Sequence, residues 1–325
     1  MRRPFLAYLL AVVIPAALTV AWGVVAARGA WRDVGEASQV RVGRMALRAL
    51  AEDLAEGLPP STAQVGRVTG YRTALLRDGL RTAATDPAPP PEGVDGAVRV
   101  PGAEIGEGTA AWAVVVAPRQ PPAAPLPFPL LLVTGLLLLF AALAGWIQLS
   151  GAPREERVLS VLLLSALPAV TAWAFLIQAD GLCRKAANEA ERRDLTRALA
   201  VARLRHVEGD PHSVHRLTGF HAWRVRGGVV AAASLPGPAD AVAALPAPPP
   251  SFTSTGTVAT PEGESAYVAL RLPDGGFTVA AVVPSPERTE RFSRNAAWAA
   301  AALAAWLLLA GAVAAAGKVR VSSGR

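Results

Sequence analysis

Four uninterrupted apolar runs constrain this chain more than any other feature. They are Phe5–Ala27, Leu130–Leu149, Val158–Gln178 and Ala296–Ala316, and none contains Asp, Glu, Lys, Arg or His. A helix needs about 20 residues to cross the hydrocarbon core of a bilayer. Each run is therefore read as a membrane span. Pro15 and Pro168 fall inside the first and third runs, where a membrane helix tolerates proline as a kink. The first run follows Met1-Arg2-Arg3, and small residues for a signal peptidase lie in Val25–Ala30. It is nevertheless longer than the 7–15 residues or so of a signal-peptide core, and an uncleaved anchor is expected.

Composition agrees with this reading. Of 325 residues, 52 % are apolar and 18 % charged, against a charged share of about 25 % in ordinary soluble domains. The single cysteine, Cys183, excludes an intrachain disulfide framework and cysteine-rich metal centres. The net charge of +7 comes almost wholly from arginine. In a chain so rich in Ala, Gly and Pro, that excess follows base composition, and no nucleic-acid partner is expected.

Charge partition orients the spans. The short pieces 1–4, 150–157 and 317–325 carry seven basic and two acidic residues. The long piece 28–125 carries eleven of each, and 179–295 carries fourteen basic and twelve acidic. Short loops govern the positive-inside rule, and long domains largely escape it. Both termini and the short loop are read as cytoplasmic, with the two long segments outside. The expected order is N-terminus and first span (1–27), exported domain (28–129), span (130–149), loop (150–157), span (158–178), exported domain (179–295), span (296–316) and tail (317–325). A multi-pass protein of a bacterial inner membrane is expected, with the lipid bilayer as its first partner.

The two halves are copies. Arg48–Pro87 aligns without a gap on Arg197–Pro236 at an offset of 149, with 13 identities in 40 positions. "RALA" recurs at Arg48–Ala51 and Arg197–Ala200, and "TGY" at Thr69–Tyr71 answers "TGF" at Thr218–Phe220. Leucines at 47, 50, 54 and 58 recur at helical spacing, so a helix is expected to run out of each odd-numbered span. A strand is expected at Arg72–Leu76 or His221–Val225. A Gly-bearing turn follows at Arg77–Gly79 or Arg226–Gly228, then a return strand at Leu80–Thr85 or Val229–Ser234. Pro-rich loops are read at Pro87–Pro91 and Pro236–Pro250. Strands resume at Thr109–Val116 in copy one, and at Ala266–Leu272 and Phe277–Val283 in copy two. The fold class is integral membrane α+β: four spans and two repeated domains of a helix on a small antiparallel sheet.

Those residues resemble a known family. A span-anchored helix, then "TG", a strand, "RDG" or "RGG", and a strand ending "AAT" or "AAS" is similar to the extracytoplasmic Cache (PDC-type, PAS-like) sensor domains of bacterial receptors such as sensor histidine kinases. The resemblance implies an input module for signal transduction, as in two-component systems, with two PAS-like periplasmic domains. It departs from the family in having only nine residues after the last span, so the kinase-like output is expected on another chain or in a part missing from this one. The chain itself is read as no enzyme, and no cofactor is expected. The alternative is a non-enzymatic cell-envelope scaffold. A homodimer, or a complex with a signalling protein, is the expected assembly.

Candidate ligand contacts are Tyr71, Arg72, Trp112, Phe220, His221 and Trp223, since aromatics beside a cation can cup a small carboxylate. His212 and His215 are weak candidates for a metal, because two imidazoles three residues apart can share an ion. Cys183 lies beside Arg184 and Lys185, whose charge would favour its thiolate, but it is expected to be a small interfacial residue.

Overall fold

The computed structural model describes residues 5–6, 8–78, 80–84, 97–102, 112–118, 128–151, 157–237, 239–249, 253–260, 263–282, 294, 297–298 and 301. Three helices in it are long and apolar enough to cross a membrane: Leu9–Ala55, Phe128–Leu149 and Leu164–Leu204. The fourth expected span, Ala296–Ala316, lies almost wholly outside the described residues.

The chain divides into two compact units. Residues 1–31, 124–186 and 287–325 form the first, and residues 32–123 and 187–286 the second. The first helix opens with a π-helical turn at Leu9–Val13 and continues as α1, Ile14–Ala55. Proline lacks an amide proton and its ring crowds the carbonyl four residues back. Pro15 thus disturbs the turn that reaches back to Ala11, and the wider π turn occupies that stretch.

Two later helices belong to the first unit: α3, Phe128–Gly151, and the leading part of α4, Arg157–Leu204. Tyr8, Val12 and Ala16 pack on Leu138 and Leu149 of α3 and on Ala169 and Ala172 of α4. Pro168 withholds the amide that would bind the carbonyl of Leu164. The Tyr8 hydroxyl donates toward that carbonyl at 3.1 Å, and toward that of Ala141 at 3.3 Å. Gly145 makes room for the ring, because a Cβ there would lie 2.3 Å from it. Much of the rest of α3 is exposed leucine and aromatic surface, including Leu136, Phe140 and Leu143. A helix apolar on all sides suits lipid better than water.

The second unit holds both copies, built alike. Helix α2, Thr62–Thr69, leads to β1, Tyr71–Arg77, and β2, Leu80–Ala84. Helix α5, Pro211–Thr218, leads to β5, His221–Arg226, and β6, Val229–Ala233. Gly70 and Gly219 end the two short helices at φ +74° and +77°, the left-handed caps that glycine accommodates. The preceding threonines act identically. Thr69 donates to the Val65 carbonyl and accepts from the Tyr71 amide, and Thr218 does the same with Val214 and Phe220. The "TG" signature is thus a helix stop as well as a strand entry. Each first hairpin also carries a β-bulge at an equivalent place, between Leu75 and Leu76 and between Arg224 and Val225.

Copy one is completed by β3, Val98–Gly102, and β4, Trp112–Pro118, in a four-stranded antiparallel sheet of order β2-β1-β4-β3. Copy two adds the short helix α6, Ala239–Ala243, then β7, Thr253–Thr260, β8, Gly263–Arg271, and β9, Phe277–Ala281. Its five-stranded antiparallel sheet runs β6-β5-β9-β8-β7. The α+β class stands, with β3 and β7 as additions to the expected strands. Both are edge strands, and Pro101 sits in β3 where an edge tolerates it.

One hydrophobic core unites the copies. Val42, Met45, Leu50 and Leu75 share it with Leu195, Leu199, Phe220 and Val268. Buried residues of α1 in this unit fall at 38, 39, 42, 43, 45, 46, 47, 49, 50 and 53. Those of α4 fall at 187, 191, 194, 195, 198, 199, 201 and 202. Both series are the three-and-four spacing of one helix face. The opposite face of the five-stranded sheet has its own core, in which Val242 of α6 covers Trp223, Tyr267 and Phe277.

Candidate functional site

The helical seam of the second unit concentrates the buried charge. Asp194 of α4 is fully buried. It accepts from Ser38 Oγ at 2.7 Å, from Arg41 Nε and Nη2 at 3.0 and 2.8 Å, and from Arg197 at 3.1 Å. A forked guanidinium on one carboxylate oxygen, joined by two further donors, satisfies a charge that would otherwise be costly to bury. Further along, Asp53 of α1 takes Arg205 on Oδ1 and the Ser61 amide and hydroxyl on Oδ2, the latter two at 2.8 and 2.6 Å. Arg205 also donates to the Ala49 carbonyl at 2.6 Å. Burial pushes the Asp53 carboxyl up, but the bonds from Arg205 and Ser61 outweigh it and hold it below its ordinary value. The bond to Asp53 likewise raises Arg205.

Helix α1 thus supplies Arg41 and Asp53, α4 supplies Asp194, and Arg205 stands one residue past the end of α4. The pairs 41–194 and 53–205 advance together along both helices, so α1 and α4 run parallel here. Offset by 149, Asp194 answers Met45 and Asp53 answers Ala202. The pairs are therefore not repeat-related, and they distinguish the two copies.

The repeated motifs meet across the same seam. The Arg197 guanidinium lies 4.7 Å above the Tyr71 ring, within cation–π range. Its counterpart Arg48 reaches Gly219, where a Cβ would lie 3.2 Å from Nη1. Each "RALA" arginine thus contacts the other copy's "TG"-aromatic segment.

The expected ligand contacts whose side chains are described fall on different faces of the two sheets. Tyr71 and Phe220 lie in the shared helical core, and the Tyr71 hydroxyl is 3.4 Å from Ser38 Oγ. Alternation along the strands sends Arg72 to the opposite face of its sheet and His221 and Trp223 to the opposite face of theirs. The backbone of Trp112 pairs with Arg77 at the end of β4.

Of these, His221 and Trp223 share a face with features of their own. Their rings stack at 6.1 Å, and the His215 ring lies 5.5 Å from His221. Across the sheet, Trp223, Val279, Ala269 and Ser254 form one row of paired residues. The Trp223 indole N–H and the Ser254 hydroxyl are both buried without a hydrogen-bond partner among the described residues. The two atoms stand three strands apart in that row, about 14 Å at the usual spacing of strands.

No family model, curated protein or solved structure matches the chain.

His212 and His215 sit on helix α5. Asp210 caps that helix by accepting from the His212 and Ser213 amides, each at 3.2 Å. Its bond with Ser213 leads the causes that hold the carboxyl below its ordinary value. His215 Nδ1 lies 2.9 Å from the Phe220 carbonyl. No group of three His, Cys, Asp or Glu side chains converges on a metal site among the described residues. Cys183 is buried, with Sγ 3.9 Å from the Ala27 carbonyl. Burial pushes its thiol up and Asp180 adds to the shift.

The seam charges escaped the sequence reading, although a signal for them exists. Asp194 and Asp53 stand on the apolar stripes of their helices, where an ordinary surface charge would not.

Proposed function

We propose that this chain is a membrane-bound input module for signal transduction. Its two repeated domains, exported and Cache- or PAS-like, read a ligand or partner outside the bacterial inner membrane. They relay it inward to an output protein such as a histidine kinase. The carrying observation is that both copies share one core built on α1 and α4, and each of those helices also contains an apolar stretch long enough to span a membrane. A displacement of either domain therefore has a continuous helix to act on. The sheet order β6-β5-β9-β8-β7, with the last strand in the middle, supports the PAS-like reading of copy two.

The second reading is a cell-envelope scaffold, in which the same domains hold partner proteins. It is favoured by the side chains of Trp223, Tyr267 and Phe277, which fill the far face of the larger sheet.

The deciding experiment is crosslinking in intact cells, followed by purification of the full-length chain in mild detergent. Recovery of a kinase, cyclase or chemotaxis protein is the expected result. Recovery of envelope-assembly proteins, with no signalling protein above background, would overturn the sensor reading in favour of the scaffold.

A further inference from the structure

In the first unit α1 and α4 meet along Gly23 and Ala27. A Cβ on Gly23 would lie 2.8 Å from the Leu176 side chain, and the Ala27 carbonyl is 3.9 Å from Cys183 Sγ. Helix α3 closes one flank of this pair, where Leu130 and Leu131 join a cluster with Val20 and Val24 of α1 and Phe175 and Leu182 of α4. The other flank is a cleft of about 400 Å³, lined by Trp22 and Ala26 of α1 and by Trp173, Ile177 and Asp180 of α4. At 3.6 residues per turn the two flanks stand roughly 160° apart around α1 and roughly 180° apart around α4. The charged lining of the cleft is net zero, an Asp180–Arg184 pair at 2.7 Å. Asp180 Oδ1 is buried and unpartnered among the described residues. That end therefore suits a neutral hydrogen-bond donor better than a second charge.

The repeat says what covers the open flank. Helices α1 and α4 lead the two copies, and the run Ala296–Ala316 follows copy two as α3 follows copy one. Exchanging α1 with α4 turns the flank that α3 fills into the open one. Residues 287–325 belong to the same compact unit. Of the 21 residues in the run, 13 are alanine, and small side chains let membrane helices approach closely, here between the rims formed by Trp22 and Trp173. Arg294, Ala297, Trp298 and Ala301 recur at three and four residues and are all exposed. The opposite helix face carries Ala296, Ala299, Ala300 and Leu303. Gln178 closes the third run and Ala296 opens the fourth, so Asn295 enters within about one helical turn of the level of Asp180.

We propose that the fourth span, Ala296–Ala316, docks in this cleft through its Ala296–Ala299–Leu303 face, with the Asn295 carboxamide donating to Asp180 Oδ1. The two copies then contribute equivalent spans to the two flanks of one α1–α4 pair. This inference rests on the reading of α1 and α4 as membrane helices.

The test is disulfide formation in membranes from cells making the full chain with Cys183→Ala. Ile177→Cys is combined with a single cysteine placed in turn at each position from 296 to 301. The intrachain disulfide is expected to peak at 296, 299 or 300 and to fall several-fold at 297, 298 and 301. Gly23→Cys with Leu176→Cys, a pair already in contact, is the positive control. Ala26→Trp fills the cleft and is expected to lower the yield at the peak position, as is Asn295→Leu. A flat profile, or no intrachain disulfide where the control pair forms one, would overturn the proposal. A disulfide found only between two chains would also overturn it, by giving the cleft to a second copy. An unchanged yield in Asn295→Leu would overturn the role of Asn295. Failure of the membrane reading is visible separately, as recovery of the chain in the soluble fraction without detergent.

Discussion

The hydroxyl of Tyr8 lies 3.1 Å from the carbonyl of Leu164, the acceptor that Pro168 leaves without its helical amide. A proline in one helix is thus completed by a tyrosine from another. In an apolar surrounding a lone carbonyl is expensive, and a neighbouring helix is the usual remedy. Tyr8→Phe is expected to lower stability by about 1–3 kcal/mol, the cost of an unsatisfied buried acceptor. Pro168→Ala restores an amide at that place, so the Tyr8→Phe penalty should shrink in its presence. Thermal unfolding of the four proteins of this cycle in one detergent measures the coupling. Equal penalties in both backgrounds would separate Tyr8 from Pro168.

The Arg41–Asp194 pair sets a second prediction. Asp194→Ala strands Arg41 and Arg197 beside a buried seam, and a loss of about 3–5 kcal/mol is expected from breaking such a pair on one side. Arg41→Ala should cost less, because Ser38 and Arg197 still reach the carboxylate. The double variant should show a coupling of about 0.5–3 kcal/mol, read from chemical unfolding of the full chain. Strict additivity would mean that the pair does not hold the seam.

Acid stability follows from Asp53. Its folded value lies below its ordinary one, so the folded state holds the charged form better than the unfolded chain does. The resulting stability is fully present above the unfolded value, about 3.9 for Asp. It is lost as pH falls through the lower, folded value. Asp53→Asn should be less stable than the native chain at neutral pH and should lose this part of the acid dependence. Melting temperatures followed from pH 7 downward would show the two curves converging; parallel curves would remove Asp53 as the cause.

Topology is testable at Leu80 and Val229, repeat-related and both exposed at the first strand after each turn. With Cys183 replaced by Ala, a cysteine at either position should react with a membrane-impermeant maleimide in intact cells once the outer barrier is opened. Labelling only after the inner membrane is lysed would reverse the orientation. Labelling of one position alone would break the two-domain export model.

Much of the architecture is already legible in the residue order. Uncharged runs of membrane length, the 149-residue offset and the Gly-bearing turns determine three apolar helices and the repeated helix–strand–turn–strand units, because period and turn chemistry are local. The expected strands emerged near their places, while β3 and β7 escaped notice as edge strands amid Pro- and Thr-rich sequence. What only the tertiary structure decided is which residues meet. The pairing of Arg41 with Asp194 and of Arg205 with Asp53 depends on two helices about 150 residues apart lying parallel in one register. The scattering of Tyr71, Phe220, His221 and Trp223 depends on which strand face each copy turns to the shared core. A one-residue step in a strand reverses a side chain's direction, and a helix seam joins residues that no local spacing connects. The elements are properties of the sequence taken segment by segment, and the site belongs to the way the two copies close on each other.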